Sequence, residues 1–197
     1  MKISIGIDPD LICYFEKNSV TNYVAPKLDT RHPELNYLGD DHALRELAVG
    51  GNTFFFGLDD PKRRSILDSE FNLSPISVIS DTSVVRTEIQ ESRGITVADF
   101  VYVGPNVHFG RFVKLNVRSS IHHDVEIGNY SVIAPSVTIC GSVKLGSGVF
   151  LGAGATVLPG ITIGDFSIVG AGAVVTRNLP AHGIFVGVPA RINEDSG

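Results

Sequence analysis

The histidines are the side chains of this chain best suited to move a proton. There are six of them: His32, His42, His108, His122, His123 and His182. Because a neutral imidazole can accept a proton near neutral pH, each is a candidate general base. The two cysteines, Cys13 and Cys140, form no CxxC or Cys/His pattern with them. We therefore expect proton-transfer chemistry and no bound metal.

Composition narrows the classes of partner. The net charge is -5 with a pI near 5.6, and no basic stripe interleaved with aromatic residues is present. These features argue against nucleic acid and favour a small-molecule substrate. No segment approaches the roughly 18 unbroken apolar residues of a membrane span, and the N-terminus lacks a signal-peptide pattern. We expect a cytoplasmic protein without membrane insertion.

The elements that must position these residues follow a period of six. Stepping by six from Ile79 to Val175, every residue except Glu91 is apolar. The residue four places later in each hexad is always uncharged and small or aliphatic. A helix repeats near 3.6 residues and a strand near 2.0, so neither explains the register. The pattern predicts short stacked strands joined by corners over residues 79–180, which is a parallel β-helix.

Residues 1–72 follow a different pattern, typical of a small α/β unit. We predict strands over 2–7 and 53–58 and helices over 40–49 and 61–71. Asp41 and Asp60 are the expected N-caps, and Pro61 suits a first helical position. The stretch 18–36 is expected to be irregular. The predicted domains are therefore 1–72 and 73–197.

The hexads resemble those of the hexapeptide-repeat acyltransferases, whose three-sided left-handed β-helix has eighteen residues per coil. That spacing implies between five and six coils here. The order of the two domains and the Gly-x-Pro-Ala-Arg ending at 187–191 resemble the sialic-acid O-acetyltransferase and bacillosamine N-acetyltransferase group. The resemblance implies a mainly β fold, a left-handed parallel β-helix preceded by a small Rossmann-like α/β domain, either complete or truncated at its first β-α unit.

The resemblance also implies a reaction: transfer of an acetyl group from acetyl-CoA to an amino or hydroxyl group of a sugar, nucleotide-linked, in bacterial surface glycan synthesis. The family's base motif has an Asn seven residues before a His and an acid directly after it, which matches Asn116, His123 and Asp124. His123 is then the general base, Asp124 orients its ring, and Asn116 positions the base or the substrate. His122 should point the other way.

Gly141 lies eighteen residues after His123, hence in the equivalent place one coil on, about 5 Å away at normal strand spacing. The family places at this glycine the N-H that polarises the thioester carbonyl.

The resemblance further implies a homotrimer that binds coenzyme A in a groove between subunits. Glycines that could allow close backbone approach there, or could simply pack at corners, are Gly152, Gly154, Gly170 and Gly172. Arg177 and Arg191 are either phosphate contacts or surface charges.

Two departures from the family concern the substrates. Many relatives have a second His nine residues after the base, where this chain has Val132. The first strand is followed by residues 8–11, Asp-Pro-Asp-Leu, instead of a Gly-rich turn. We therefore expect an altered sugar pocket. Residues 39–41 and 56–64 resemble the later part of the relatives' N-terminal domain, which implies Asp40, Asp59 and Arg64 as candidate residues of the pocket. The acceptor is a nucleotide sugar, a free acid sugar or a polysaccharide intermediate.

Other functions of the same fold are left open or excluded. A sialic-acid-type O-acetyltransferase and a catalytically silent trimeric scaffold remain alternatives. A γ-class carbonic anhydrase would need two zinc-binding histidines five residues apart, and no such pair exists. The acyltransferases of lipid A synthesis carry a helical C-terminal domain, for which the tail after Val175 is too short.

Overall fold

The computed structural model describes residues 1–7, 20–90 and 93–193. Three features named above lie outside them: the 8–11 turn, Cys13 and Glu91.

The N-terminal unit is a four-stranded parallel sheet in the order β3-β2-β1-β4. Its strands are β1 (Lys2–Ile5), β2 (Asn22–Val24), β3 (Asn36–Tyr37) and β4 (Thr53–Phe56). A 3₁₀ turn (Asp41–Ala43) leads into α1 (Leu44–Val49), and α2 (Pro61–Phe71) follows β4. Strand β4 is a continuous apolar run whose three Phe are almost completely buried, as expected of a strand covered on both faces. The Rossmann-like character of this unit stays a prediction, as does its boundary at residue 72.

The structure confirms some of the predicted elements and corrects others. Helix α2 has the expected bounds, and Asp60 accepts hydrogen bonds from the N-H groups of Lys62 and Arg63. The predicted 40–49 helix is shorter, and its cap is Asp40 instead of Asp41. Irregular structure over 18–36 was the wrong expectation, because β2 lies there. A three-residue strand shows no alternation of its own and is defined by its pairing with β1.

The remaining chain forms a β-helix with three faces. Sheet I contains β5 (Val78–Ile79), β7 (Thr96–Val97), β10 (Lys114–Leu115), β13 (Val132–Ile133), β16 (Phe150–Leu151), β19 (Ile168–Val169), β21 (Ile184–Val186) and β22 (Arg191–Ile192). Sheet II contains β6 (Val84–Val85), β8 (Tyr102–Val103), β11 (Ser120–Ile121), β14 (Thr138–Ile139), β17 (Thr156–Val157) and β20 (Val174–Val175). Sheet III contains β9 (His108–Phe109), β12 (Glu126–Ile127), β15 (Lys144–Leu145) and β18 (Thr162–Ile163).

The register confirms the hexad prediction. From β5 to β20, paired residues are eighteen positions apart, as for Ile121 and Ile139, so each coil takes three hexads. The second residue of each strand faces a continuous aliphatic core. Between strands, every sixth residue from Gly94 to Gly172 has a positive φ. This left-handed residue turns the chain at each corner. We name the corners I/II, II/III and III/I after the sheets that they join.

The N-terminal unit packs on sheet I and corner III/I. The rings of Phe56 and Phe112 meet edge to face at 4.8 Å between centroids. Arg64, 1% exposed, donates to the carbonyl oxygens of Leu58 at 2.7 Å and Phe112 at 3.0 Å. Arg64 therefore joins the end of β4 to the β-helix.

A second polar cluster lies beside this contact. Arg111 makes two hydrogen bonds to the buried Asp68 carboxylate, at 2.9 and 3.1 Å, and the Tyr130 hydroxyl donates to the same carboxylate at 2.8 Å. Burial and the hydrogen bond to Asp68 raise the pKa of Tyr130 to about 12. These bonds hold α2 against corner III/I.

The Gly-x-Pro-Ala-Arg ending closes the last coil. It forms the turn between the antiparallel strands β21 and β22. The Ala190 N-H donates to the Val174 carbonyl at 2.8 Å, and Ala190 is buried. Among the helices in the described ranges, none is long and apolar enough to cross a membrane.

Candidate active site

His123 lies at corner II/III, directly after β11, with 59% of its side chain exposed. The buried side chains of Ile121 and Val125 anchor the chain on either side of it. Its Nδ1 is 2.7 Å from Asp124 Oδ2. Because an ionised carboxylate only accepts, Nδ1 carries the hydrogen, and Nε2 of the neutral ring is left with a free lone pair. The geometry suits a general base.

Asp124 is held in place by the corner itself. Its φ is 59°, and its N-H donates to the Pro105 carbonyl at 3.1 Å. Its second oxygen, Oδ1, accepts a hydrogen bond from Asn106 Nδ2 at 3.1 Å. The hydrogen bonds from His123 and then Asn106 lower the pKa of Asp124. The sequence did not predict Asn106 as a site residue. Its position eighteen residues, or one coil, before Asp124 is the feature that could have identified it.

Gly141 lies against the His123 ring. A side-chain carbon at 141 would be 2.5 Å from His123 Cε1 and 2.6 Å from Nε2, so the imidazole occupies the space of the missing side chain. Within the described ranges, the Gly141 N-H donates to no protein acceptor. The pairing of β11 with β14 places the two residues in equivalent positions, as their spacing suggests.

The other β-helix histidines lie elsewhere. His122 is on the outer face of sheet II, where its ring meets Tyr102 at 6.2 Å between centroids. His108 is an exposed residue of sheet III, and His182 stacks on Phe166 at corner III/I. None of the three hydrogen-bonds to His123.

Asn116 and the four candidate coenzyme A glycines lie at corner I/II, not at the corner of His123. Asn116 follows β10 and is 4% exposed. Its side-chain oxygen has no hydrogen-bond partner within the described part of the chain. The roles assigned to these five residues stay predictions.

The glycines of corner I/II differ in their surroundings. A side chain at Gly152 would lie 2.6 Å from the Ala171 nitrogen, and one at Gly170 would lie 2.8 Å from Val186 Cγ1. Corner packing therefore explains these two. Gly154 and Gly172 have φ near 68° and 66° and open space where a side chain would project. They leave the backbone accessible from outside.

Of the three candidate sugar-pocket residues, Asp59 and Arg64 lie close together, with 3.9 Å between Asp59 Oδ1 and Arg64 Nη2. Asp40 caps the turn before α1. Asp59 pairs with Lys114 Nζ at 2.6 Å, and this Lys side chain is completely buried. Arg64 is the clearest correction: it is buried and hydrogen-bonded to main-chain carbonyls, so it is a structural link and is not placed to contact a sugar.

A cavity of about 720 Å³ opens instead at the carboxyl ends of β1 and β2. It is lined by Gly6, Ile7 and residues 25–31, which include Lys27 and Arg31. Ligands of parallel α/β sheets bind at this edge. Arg31 donates to both oxygens of Asp29, at 2.9 and 2.6 Å, and this hydrogen bonding holds the pKa of Asp29 far below its usual range. The residues of this cavity form no motif that would mark it in the sequence.

Val132, where many relatives have a second histidine, is fully buried in sheet I. It pairs with Lys114 and Phe150 in sheet I, whereas His123 lies at corner II/III. Within the described residues, no three His, Cys, Asp or Glu side chains are grouped closely enough to hold a metal ion.

Comparison with protein families supports the repeat. A family model described as bacterial transferase hexapeptide (six repeats) matches residues 142–177. A GDP-perosamine N-acetyltransferase from Escherichia coli O157:H7 is 35% identical over 69 residues, 35% of this chain and 31% of that relative. The aligned segment thus spans about a third of that relative's length.

Solved structures match nearly the whole chain. A histidine-to-asparagine variant of perosamine N-acetyltransferase from Caulobacter crescentus, in complex with CoA and GDP-perosamine, superposes with a TM-score of 0.87 and 29% identity. The match covers 98% of this chain and 97% of that one. The acetyltransferase domain of PglB from Neisseria gonorrhoeae, in complex with acetyl coenzyme A, has a TM-score of 0.84 and 17% identity over 98% of both chains, which shows the fold alone. The chain is a left-handed β-helix of the hexapeptide-repeat type, and its relatives are sugar acetyltransferases.

Proposed function

We propose that this hexapeptide-repeat protein transfers the acetyl group of acetyl-CoA to the amino group of a nucleotide-linked sugar. The observation that carries the proposal is the His123–Asp124 pair with its ring against Gly141. The perosamine N-acetyltransferase, which has bound CoA and GDP-perosamine, supports the substrate class because its match includes the N-terminal unit. A role in bacterial surface glycan synthesis is part of the proposal.

The His123 ring supplies the base. As the neutral sugar amine attacks the thioester carbonyl carbon, the developing ammonium gives a proton to Nε2 of His123. The imidazolium that forms is stabilised by Asp124 through Nδ1-H. The tetrahedral intermediate then collapses, the carbon-sulfur bond breaks, and the imidazolium returns the proton to the coenzyme A thiolate. The products are the N-acetylated sugar and free coenzyme A.

The Gly141 N-H supplies the oxyanion donor. A backbone N-H without a protein acceptor can bind the thioester oxygen, and it stabilises the charge that appears there in the transition state. Above Gly141 the same corner continues through Pro159 to Arg177, fifty-four residues and three coils beyond His123. Three coils span about 14 Å. Arg177 is thus a candidate contact for the phosphates of acetyl-CoA.

The cavity beside β1 and β2 is the candidate site for the nucleotide part of the acceptor. Arg31 is paired with Asp29 at its wall, so Lys27 leaves the wall with a net positive charge, which suits a phosphate group. This location favours a nucleotide-linked sugar over a free one.

We propose a homotrimer in which neighbouring copies complete the site. The cavity lies in the unit that covers sheet I, while His123 lies at corner II/III, the vertex opposite that sheet. We therefore propose that a sugar bound in the cavity of one chain meets His123 of a neighbouring chain. A heterologous ring of copies can bring the cavity and corner I/II of one chain to corner II/III of the next.

A thiol-release assay with acetyl-CoA tests the proposal. The acceptors are GDP-perosamine, UDP- and dTDP-linked 4-amino sugars, CMP-sialic acid and free sialic acid. We expect turnover of an amino sugar nucleotide and a loss of about 100-fold or more in His123→Ala, as for removal of a general base. His122→Ala is the matched control and should retain activity.

Other outcomes separate the alternatives. Turnover of sialic acid alone would indicate an O-acetyltransferase. If no acceptor gives thiol release and the protein does not bind acetyl-CoA, the protein is a scaffold.

A further inference from the structure

The Asp124 carboxylate uses both of its oxygens on its neighbours. Oδ2 accepts from His123 at 2.7 Å and Oδ1 accepts from Asn106 at 3.1 Å. Asp124 is half-exposed, with 51% of its side chain accessible. A surface carboxylate of this kind is free to rotate toward water unless a second bond fixes it. Asn106 supplies that bond.

The residue type at 106 is narrowly determined. Its φ is 55°, a left-handed conformation that Asn and Asp tolerate better than other side-chain-bearing residues. An Asp there would place a second carboxylate against Asp124, whereas Asn offers an N-H donor. Glycine would suit the backbone but would bring no donor. Asn satisfies both conditions.

We propose that Asn106 is a positioning residue for acetyl transfer, whose amide holds Asp124 in the rotamer that orients the His123 imidazole. The chain of contacts runs along one corner, with Asn106 a coil before Asp124 and Gly141 a coil after His123. Two successive coils therefore fix the base, and a third supplies the N-H donor. The inference rests on the proposed function only in taking His123 as the base.

The other ionisable groups near Asn106, Asp124 and His123 lie on sheets II and III and at corner II/III. Glu126, on sheet III, is bound by Lys144 at 2.8 Å and lies beside His108. His122 faces Tyr102 on sheet II, and Cys140 precedes Gly141. Asp124 makes the ion pair with His123.

The test compares Asn106→Gly and Asn106→Asp with the wild-type protein. Asn106→Gly removes the amide without straining the backbone, and we expect kcat to fall about tenfold, as for loss of a hydrogen bond to a charged group, with KM for acetyl-CoA unchanged. Asn106→Asp adds negative charge near the ring, so the acid limb of the kcat/KM profile should move to higher pH. His182→Gly, at another left-handed corner residue remote from His123, is the control and should change neither.

A readout independent of turnover separates this inference from the proposed function. The ¹⁵N NMR signals of the His123 ring should show the tautomer with hydrogen on Nδ1 in the wild-type protein and a mixture of the two tautomers in Asn106→Gly. If the wild-type protein transfers no acetyl group, the proposed function fails, and these signals still decide the inference. Unchanged kcat and an unchanged ring tautomer in Asn106→Gly would overturn it.

Discussion

The contact between His123 and Gly141 depends on the period of the chain more than on either residue alone. Positions eighteen apart must stack, so the ring at 123 projects over whatever occupies 141. Only glycine at position 141 leaves enough space for the His123 ring. The backbone N-H at 141 is thereby kept beside the base, and one glycine serves two purposes.

Gly141→Ala tests this packing. The added carbon would lie 2.5 Å from His123 Cε1, so the ring must move, whereas the backbone at 141 has no positive φ that would strain an alanine. We expect kcat to fall about 100-fold, as for a catalytic group displaced by roughly 1 Å. Thermal unfolding should show that the fold is intact. Cys140→Ala, one residue earlier, is the control; an equal loss there would show a general disturbance of the corner.

Asp124→Asn tests the carboxylate. The depressed pKa of Asp124 means that the group remains ionised as pH falls toward its usual range, so it is charged wherever the base is active. Replacing it removes the negative charge beside the imidazolium, and the acid limb of kcat/KM should therefore move to lower pH. We also expect kcat to fall by about 100-fold or more, because an amide can hold the wrong ring tautomer. An acid limb at the same pH in both proteins would contradict the role of Asp124.

At the residue scale, the sequence was informative where residues follow one another along the chain. Asn116, His123 and Asp124 match a motif, and Gly141 is found by adding one coil. Asn106 requires knowing that the corner side chains touch between coils. Lys27 and Arg31 lie in a loop after a three-residue strand, and no local pattern marks them.

At the scale of elements, the β-helix could be predicted almost completely because one coil repeats the same packing problem. An aliphatic residue must fill the interior at each strand, and aliphatic residues therefore recur every six positions in the sequence. The N-terminal unit has no such repetition. Strands β2 and β3 have three and two residues, and they are held by pairing partners that are distant in sequence.

Arg64→Ala tests how the two units are joined. Arg64 is buried, and its loss leaves the carbonyls of Leu58 and Phe112 without their donor. We expect the free energy of unfolding to fall by about 3 kcal/mol, as for buried polar groups left unsatisfied. Arg63→Ala, in a partly exposed pair with Asp41, should cost about 1 kcal/mol or less. Urea unfolding of both variants measures the difference. Equal effects would mean that Arg64 does not join the units.

At the scale of the whole molecule, the arrangement of the two units determines what a single chain can do. The N-terminal unit is bonded to sheet I and corner III/I through Asp59, Arg64 and Asp68 and is not a freely hinged domain. The sequence predicted two units but not the face on which they meet, because the contacts join residues roughly 40 to 60 positions apart. Within the β-helix, that face lies opposite corner II/III, which contains His123.

Mixed oligomers test whether the acceptor and the base come from different chains. One variant is His123→Ala, and the other carries Lys27→Glu and Arg31→Glu in the cavity; each should be inactive alone. After co-refolding in equal amounts, random assembly leaves about a quarter of the sites with an intact base from one chain and an intact cavity from its neighbour. We therefore expect about a quarter of the wild-type activity. If both functions were needed within one chain, mixed trimers identified by native mass spectrometry would be inactive, because no subunit carries both. Simple mixing without subunit exchange is the control and should restore nothing.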